Sequence, residues 1–171
     1  AGFADPAAAH LAADALGDRG LGHAAVVPVD DDGLDGWRPW ARPVAAGPFL
    51  LVPSWLATDE PTRSDEHAPP DAPVRIRLLV DPGRTFGSGS HPTTRLVLAR
   101  LAELVRPGHR VLDVGCGSGI LAVGAALTGA ATALGIDVDP DAPAATHANA
   151  RANHVADRVT ASTTPLADVV A

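Results

Sequence analysis

Three glycines at alternate positions, Gly115, Gly117 and Gly119, follow Val111-Leu112-Asp113-Val114, and an acidic residue, Asp137, stands eighteen positions beyond the last of them. Glycine adopts positive φ without a Cβ clash, so such a turn lets a ligand approach bare backbone. A carboxylate about 20 residues further on, at the end of the next strand, is placed to accept hydrogen bonds from ribose hydroxyls. Asp113, two residues before the first glycine, is the other acid of the set. Two roles stay open for it: contact with a ligand's amino group through the turn, or bracing of the turn itself.

The glycine spacing narrows the ligand. A nicotinamide or flavin fingerprint reads Gly-x-Gly-x-x-Gly and faces a pyrophosphate. Here the third glycine comes one position early, Ile120 follows it, and no Lys follows as a Walker loop would require. A Gly-x-Gly-x-Gly turn behind an acid suits a ligand without a pyrophosphate, and S-adenosyl-L-methionine, a nucleoside joined to an amino acid, fits. Cys116 lies inside the turn, but no base is fixed beside it by sequence, which argues against a nucleophile. A single cysteine also excludes a disulfide framework and a multi-cysteine zinc site, so no metal is expected.

The elements that hold these residues alternate. Residues 94–105 carry apolar side chains at helical spacing, and Pro107-Gly108 ends the run. A short buried strand is predicted at 110–114, a helix at 118–127, a strand at 131–136, and a helix at 140–153 with Asp139 as N-cap. A weaker strand follows at 158–161, and 168–171 reads as the first half of another. Strand and helix in alternation with short connections specify β-α-β units. The fold class is therefore α/β, a Rossmann-like doubly wound, mostly parallel sheet, cut short after its fourth strand.

Upstream, 5–16 reads as an Ala-rich helix with Asp5 as N-cap and Pro6 at its first position, ended by Gly17 and Gly20. Strands are predicted at 24–29, 49–52 and 74–80. Trp37 and Trp40 fall in a Pro-interrupted packed loop, and with Trp55 they are expected to pack the junction between the halves. Residues 57–73, with Pro61, Pro69, Pro70 and Pro73 and many charges, read as a linker. The expected organisation is a small α+β N-terminal segment at 1–56, this linker, and a cofactor-binding domain at 74–171.

The 171 residues carry a net charge of −7, and all 13 basic side chains are Arg. No basic run exists to line a nucleic-acid groove, so direct nucleic-acid binding is not expected. The chain shows neither a signal-peptide pattern nor a run of about 18 apolar residues, so the expectation is a cytoplasmic protein without a membrane span.

The segment from Asp81 to Thr94, Asp-Pro-Gly-Arg-Thr-Phe-Gly-Ser-Gly-Ser-His-Pro-Thr-Thr, closely resembles the segment that precedes the glycine turn in the ribosomal protein L-eleven methyltransferases (PrmA-type). Ser88 and Ser90 stand where that family has Thr, which keeps the hydroxyls. The likeness continues through the glycine turn, through Gly135-Ile136-Asp137-Val138-Asp139-Pro140 and through Asn149-Ala150-Arg151-Ala152-Asn153, and upstream it includes 49–55. The resemblance implies a class I methyltransferase that uses S-adenosyl-L-methionine to modify amino groups of a basic large-subunit ribosomal protein. It places cofactor contacts at Thr94, Gly115 and Asp137, to which the local reading adds Asp113, Gly117 and Gly119. The family's further contact, an Asn after the fourth strand, is expected beyond Ala171, so no catalytic residue is named. A small-molecule methyltransferase on the same cofactor domain, and a truncated cofactor-binding remnant without catalysis, are the alternatives. The loop's hydroxyls alone suggest another role, a capped helix start with Thr93 or Ser90 as N-cap and His91 structural rather than a base. Oligomeric state is not legible.

Overall fold

The computed structural model describes residues 5–27, 38–57 and 75–170, and the chain divides into two compact units, Ala1–Pro39 and Trp40–Ala171. In the first, helix α1 (Pro6–Asp18) starts as expected, with the Asp5 carboxylate accepting from the Ala7 N–H at 2.9 Å and Pro6 in the first turn. The strand expected at 24–29 does not form over 24–27, and its last residues lie outside the described ones, as do Trp37 and the linker at 58–73. Trp40 is 80 % exposed, and Trp55 is partly buried.

Among the described residues, the second unit holds two three-stranded sheets. Strand β1 (Val44–Ala46) turns back at Gly47-Pro48 to pair antiparallel with β2 (Phe49–Pro53). Strand β3 (Ile76–Val80) pairs parallel with β2, so β2 is central, and all five of its residues are buried. That explains why its sequence is an unbroken apolar run rather than an alternation. Helix α2 (Pro92–Leu104) follows, then β4 (Arg110–Val114), α3 (Ile120–Leu127), β5 (Thr132–Ile136), α4 (Ala142–Ala152) and β6 (Val159–Ser162). Strands β4, β5 and β6 lie side by side and all parallel, joined by α3 and α4 as the alternation predicted.

Helices α3 and α4 touch each other and both sheets, and α2 packs along α3. This position accounts for the sequence of α3, in which residues on every side are apolar and buried. Phe49, Leu78, Leu98 and Val123 are the large side chains at the centre of this core.

Three expectations fail here. Strand β4 is not buried: it is the outer strand of its sheet among the described residues, and Leu112 and Val114 are 38 % and 58 % exposed. The apolar face expected on α2 is only partly used; Leu98 is buried, while Leu96 and Leu104 are exposed. Of the half-strand expected at 168–171, Ala171 lies outside the described residues, and 168–169 instead belong to a short helix, α5 (Leu166–Val169), led by Pro165. A strand needs a partner to satisfy its backbone, whereas a helical turn closes on itself, and the Pro165 ring sets φ at −57° for that start.

Candidate functional site

The site grows from the C-terminal ends of β4 and β5. The N–H groups of Gly115 and Cys116 both donate to the Ile136 carbonyl, at 2.8 and 3.1 Å, which folds the turn onto the end of β5. All three glycines have positive φ, +77° at Gly115, +50° at Gly117 and +75° at Gly119. Two of them are also required by space. A Cβ on Gly117 would lie 2.4 Å from the Phe86 carbonyl oxygen, and one on Gly119 would lie 2.5 Å from the Thr146 side chain. Gly115 differs: it is exposed, and nothing stands within 4 Å of where its Cβ would be. Helix α3 begins at Ile120 rather than 118, because Gly119 is left-handed and acts as the N-cap.

Asp137 turns toward this bend. One carboxylate oxygen accepts from the Gly117 N–H at 2.7 Å and the other from the Asp139 N–H at 3.0 Å. The Asp139 N–H, followed by that of Gly117, holds the carboxyl below its ordinary range. It is therefore ionised at neutral pH and acts only as an acceptor.

Asp113 sits beneath the turn, buried, with its carboxylate accepting from the Ala122 N–H at 3.2 Å. Gly119 has no side chain to cap α3, and Asp113 supplies that acceptor from the strand below. Burial pushes its carboxyl up to about 6, with the charge of Asp137 adding to the effect. Of the two roles left open by the sequence, this contact is the bracing one. Cys116 is buried against Gly135 near the Thr146 hydroxyl, and burial raises its thiol, which disfavours a thiolate.

The loop after β3 lies directly on the glycine turn. The Phe86 carbonyl accepts from the Ser118 N–H at 2.9 Å, and the Gly87 carbonyl accepts from the Ser118 hydroxyl at 2.7 Å. Gly89 abuts the Ile120 and Leu51 side chains. The loop's exit is capped by His91, not by Thr93 or Ser90: its Nδ1 accepts from the Thr93 N–H at 3.3 Å and lies 2.7 Å from the Thr93 hydroxyl. That engagement fits a structural His91. Thr94 stands in the first turn of α2, partly exposed. Likewise, α4 begins at Ala142 with Asp141 as N-cap, while Asp139 caps the preceding turn by accepting from the Asp141 N–H at 2.9 Å.

Asp113, Gly115, Gly117, Gly119 and Asp137 thus form one connected group, and the neighbouring loop leads to Thr94. Sequence reasoning missed the role of Asn149 and Asn153, whose buried carboxamides bond the backbone of Asp81 and Leu79. The available signal was Asn149 inside a helix, a residue that disfavours helix interiors unless its side chain has a partner, with Asn153 one turn on as the C-cap.

A family model described as Ribosomal protein L11 methyltransferase (PrmA) matches residues 9–171. The chain belongs to this family. This PrmA-family chain is 44% identical over 144 residues to the ribosomal protein L11 methyltransferase of Symbiobacterium thermophilum, an alignment covering 80% of the chain and 44% of the relative. It is 41% identical over 129 residues to the protein of that name from Thermus thermophilus, covering 75% of the chain and 45% of the relative. Among solved structures it is similar to a ribosomal protein L11 methylase from Lactobacillus delbrueckii subsp. bulgaricus, with a TM-score of 0.55 and 31% identity over 71% of this chain and 56% of that one. The PrmA-family chain spans less than half the length of the curated relatives it matches. No described helix is long and apolar enough to cross a membrane, and the described residues hold no group of three or more His, Cys, Asp or Glu suited to a metal ion.

Proposed function

We propose that this chain forms the S-adenosyl-L-methionine-binding part of a methyltransferase that modifies amino groups of a large-subunit ribosomal protein in the cytoplasm. The observation that carries the proposal is the ionised Asp137 carboxylate, bonded to the Gly117 N–H at 2.7 Å beside the exposed backbone of Gly115. A charged acceptor next to open backbone suits a nucleoside whose ribose presents two adjacent hydroxyls. In this reading Asp137 holds the ribose, Gly115 gives the ligand room, Gly117 and Gly119 shape the turn, Asp113 braces it, and Thr94 offers a hydroxyl from the neighbouring helix.

The cofactor, when bound, supplies an electrophilic methyl on a sulfonium. The chain's own part is positioning, and alignment of two reactants contributes up to ~7–11 kcal/mol to lowering a barrier. The acceptor must arrive uncharged. A lysine amine, with a pKa of about 10.4, has to lose a proton first, whereas a protein's N-terminal amine, near ~8, gives it up more easily. The chain's net charge of −7 suits a basic partner by long-range attraction. The relatives named ribosomal protein L11 methyltransferases support the choice of acceptor class.

The test is transfer of a tritiated methyl group from the cofactor to large-subunit ribosomal proteins. Label in amino groups of one such protein is the expected result; label confined to small molecules would overturn the acceptor assignment.

A further inference from the structure

Strand β3 pairs with β2 along one edge. Along the other edge it meets two carboxamides of α4. The Asn153 Oδ1 accepts from the Leu79 N–H at 2.8 Å, and its Nδ2 donates to the Leu79 carbonyl at 2.7 Å. One helical turn earlier, the Asn149 Oδ1 accepts from the Asp81 N–H at 2.9 Å, and its Nδ2 donates to the Asp81 carbonyl at 2.8 Å. Each side-chain amide thus fills the place of a peptide group from a neighbouring strand, and among the described residues no strand pairs with β3 on this edge. The spacing makes this work: four helical residues rise ~6 Å, and two strand residues rise ~6.6 Å.

The two asparagines differ in one respect. The Asn149 Nδ2 also donates to the Ser118 carbonyl at 2.9 Å, inside the glycine turn, whereas the second bond of Asn153 stays within its own helix, to the Asn149 carbonyl at 2.8 Å. Asp81 opens the loop whose Phe86 and Gly87 carbonyls lie on Ser118. Asn149 therefore joins the root of that loop and the glycine turn through one buried amide.

We propose that Asn149 is a positioning residue of the cofactor site, fixing the loop at 82–91 against the glycine turn so that both are set before the ligand arrives. The proposal rests on the cofactor reading above. Asn153 is its internal control, since it makes the same strand bridge without touching the turn.

The experiment compares wild type, Asn149→Ala and Asn153→Ala by calorimetric titration with S-adenosylhomocysteine and by hydrogen exchange over 82–91 and 115–119. Both variants are expected to unfold at lower denaturant. Asn149→Ala alone is expected to weaken the analogue by about tenfold or more and to speed exchange in both segments. Should Asn149→Ala not fold, Asn149→Ser, which retains one hydrogen-bonding group, takes its place with the same expected direction. Equal weakening by the two alanine variants, or no weakening by either, would reduce Asn149 to a structural bridge and overturn the proposal while leaving the cofactor reading intact. Absence of binding by the wild type would overturn the cofactor reading and this role together.

Discussion

Replacing Asp113 with Asn should remove a pH dependence of stability that has an unusual sign for a carboxylate. Asp113 is 7 % exposed and receives one backbone N–H, from Ala122, which does not offset the loss of water around its charge. Its carboxyl is held at about 6 in the folded protein against an ordinary 3.8. Between those values the folded chain binds a proton that the unfolded chain has released. Stability therefore falls as pH rises through this window, with the penalty complete above about 6 and absent below the unfolded value. Two pH units at 1.36 kcal/mol each give a span of about 3 kcal/mol. The ionisable groups beside it shift away from this window: burial raises the Cys116 thiol, and the Asp139 and Gly117 N–H groups lower the Asp137 carboxyl. Asn keeps an acceptor for the Ala122 N–H and has no charge to lose. The assay is urea unfolding of both proteins from about pH 4 to about pH 7, reading the difference between them so that other carboxylates cancel. The wild type should lose about 3 kcal/mol relative to Asp113→Asn as pH rises across the range. A flat difference, or one of opposite slope, would refute the argument that burial dominates this site.

Other substitutions test the turn. Gly119→Ala should cost about 2–4 kcal/mol, combining positive φ with a Cβ forced onto Thr146, whereas Gly83→Ala, at φ +55° in open space, should cost only about 1–2 kcal/mol. Thermal unfolding of the two variants distinguishes them, and equal losses would mean that Thr146 gives way freely. Ser118→Ala removes the 2.7 Å bond to the Gly87 carbonyl and should cost about 0.5–1.5 kcal/mol while speeding hydrogen exchange in the loop at 82–91.

The parallel β4-α3-β5-α4-β6 unit was legible because each element has its own period and its own glycine or proline punctuation. The glycine turn was legible because its three residues have few alternatives at positive φ. What sequence reasoning missed depends on partners distant in the chain. Strand β1 is only Val-Ala-Ala, too short and too weak in strand preference to stand out, and it forms because β2 is there to pair with it. The Leu112 and Val114 side chains read as buried because apolar runs usually are, but the outer position of β4 decides otherwise. His91 rather than Thr93 caps α2 because the ring nitrogen reaches the N–H two residues on, a geometry the two neighbouring hydroxyl candidates conceal in sequence. Asn149 and Asn153 stand out in sequence only through the family likeness, since nothing local says that β3 needs an edge partner.

The central claim, that a nucleoside's ribose is gripped by Asp137 at the glycine turn, is tested most directly by calorimetric titration of S-adenosylhomocysteine into wild type and Asp137→Ala. The wild type should bind one equivalent, and the variant, still folded, should lose about 1–3 kcal/mol of affinity, roughly fivefold to 150-fold. The same affinity in both proteins would contradict it.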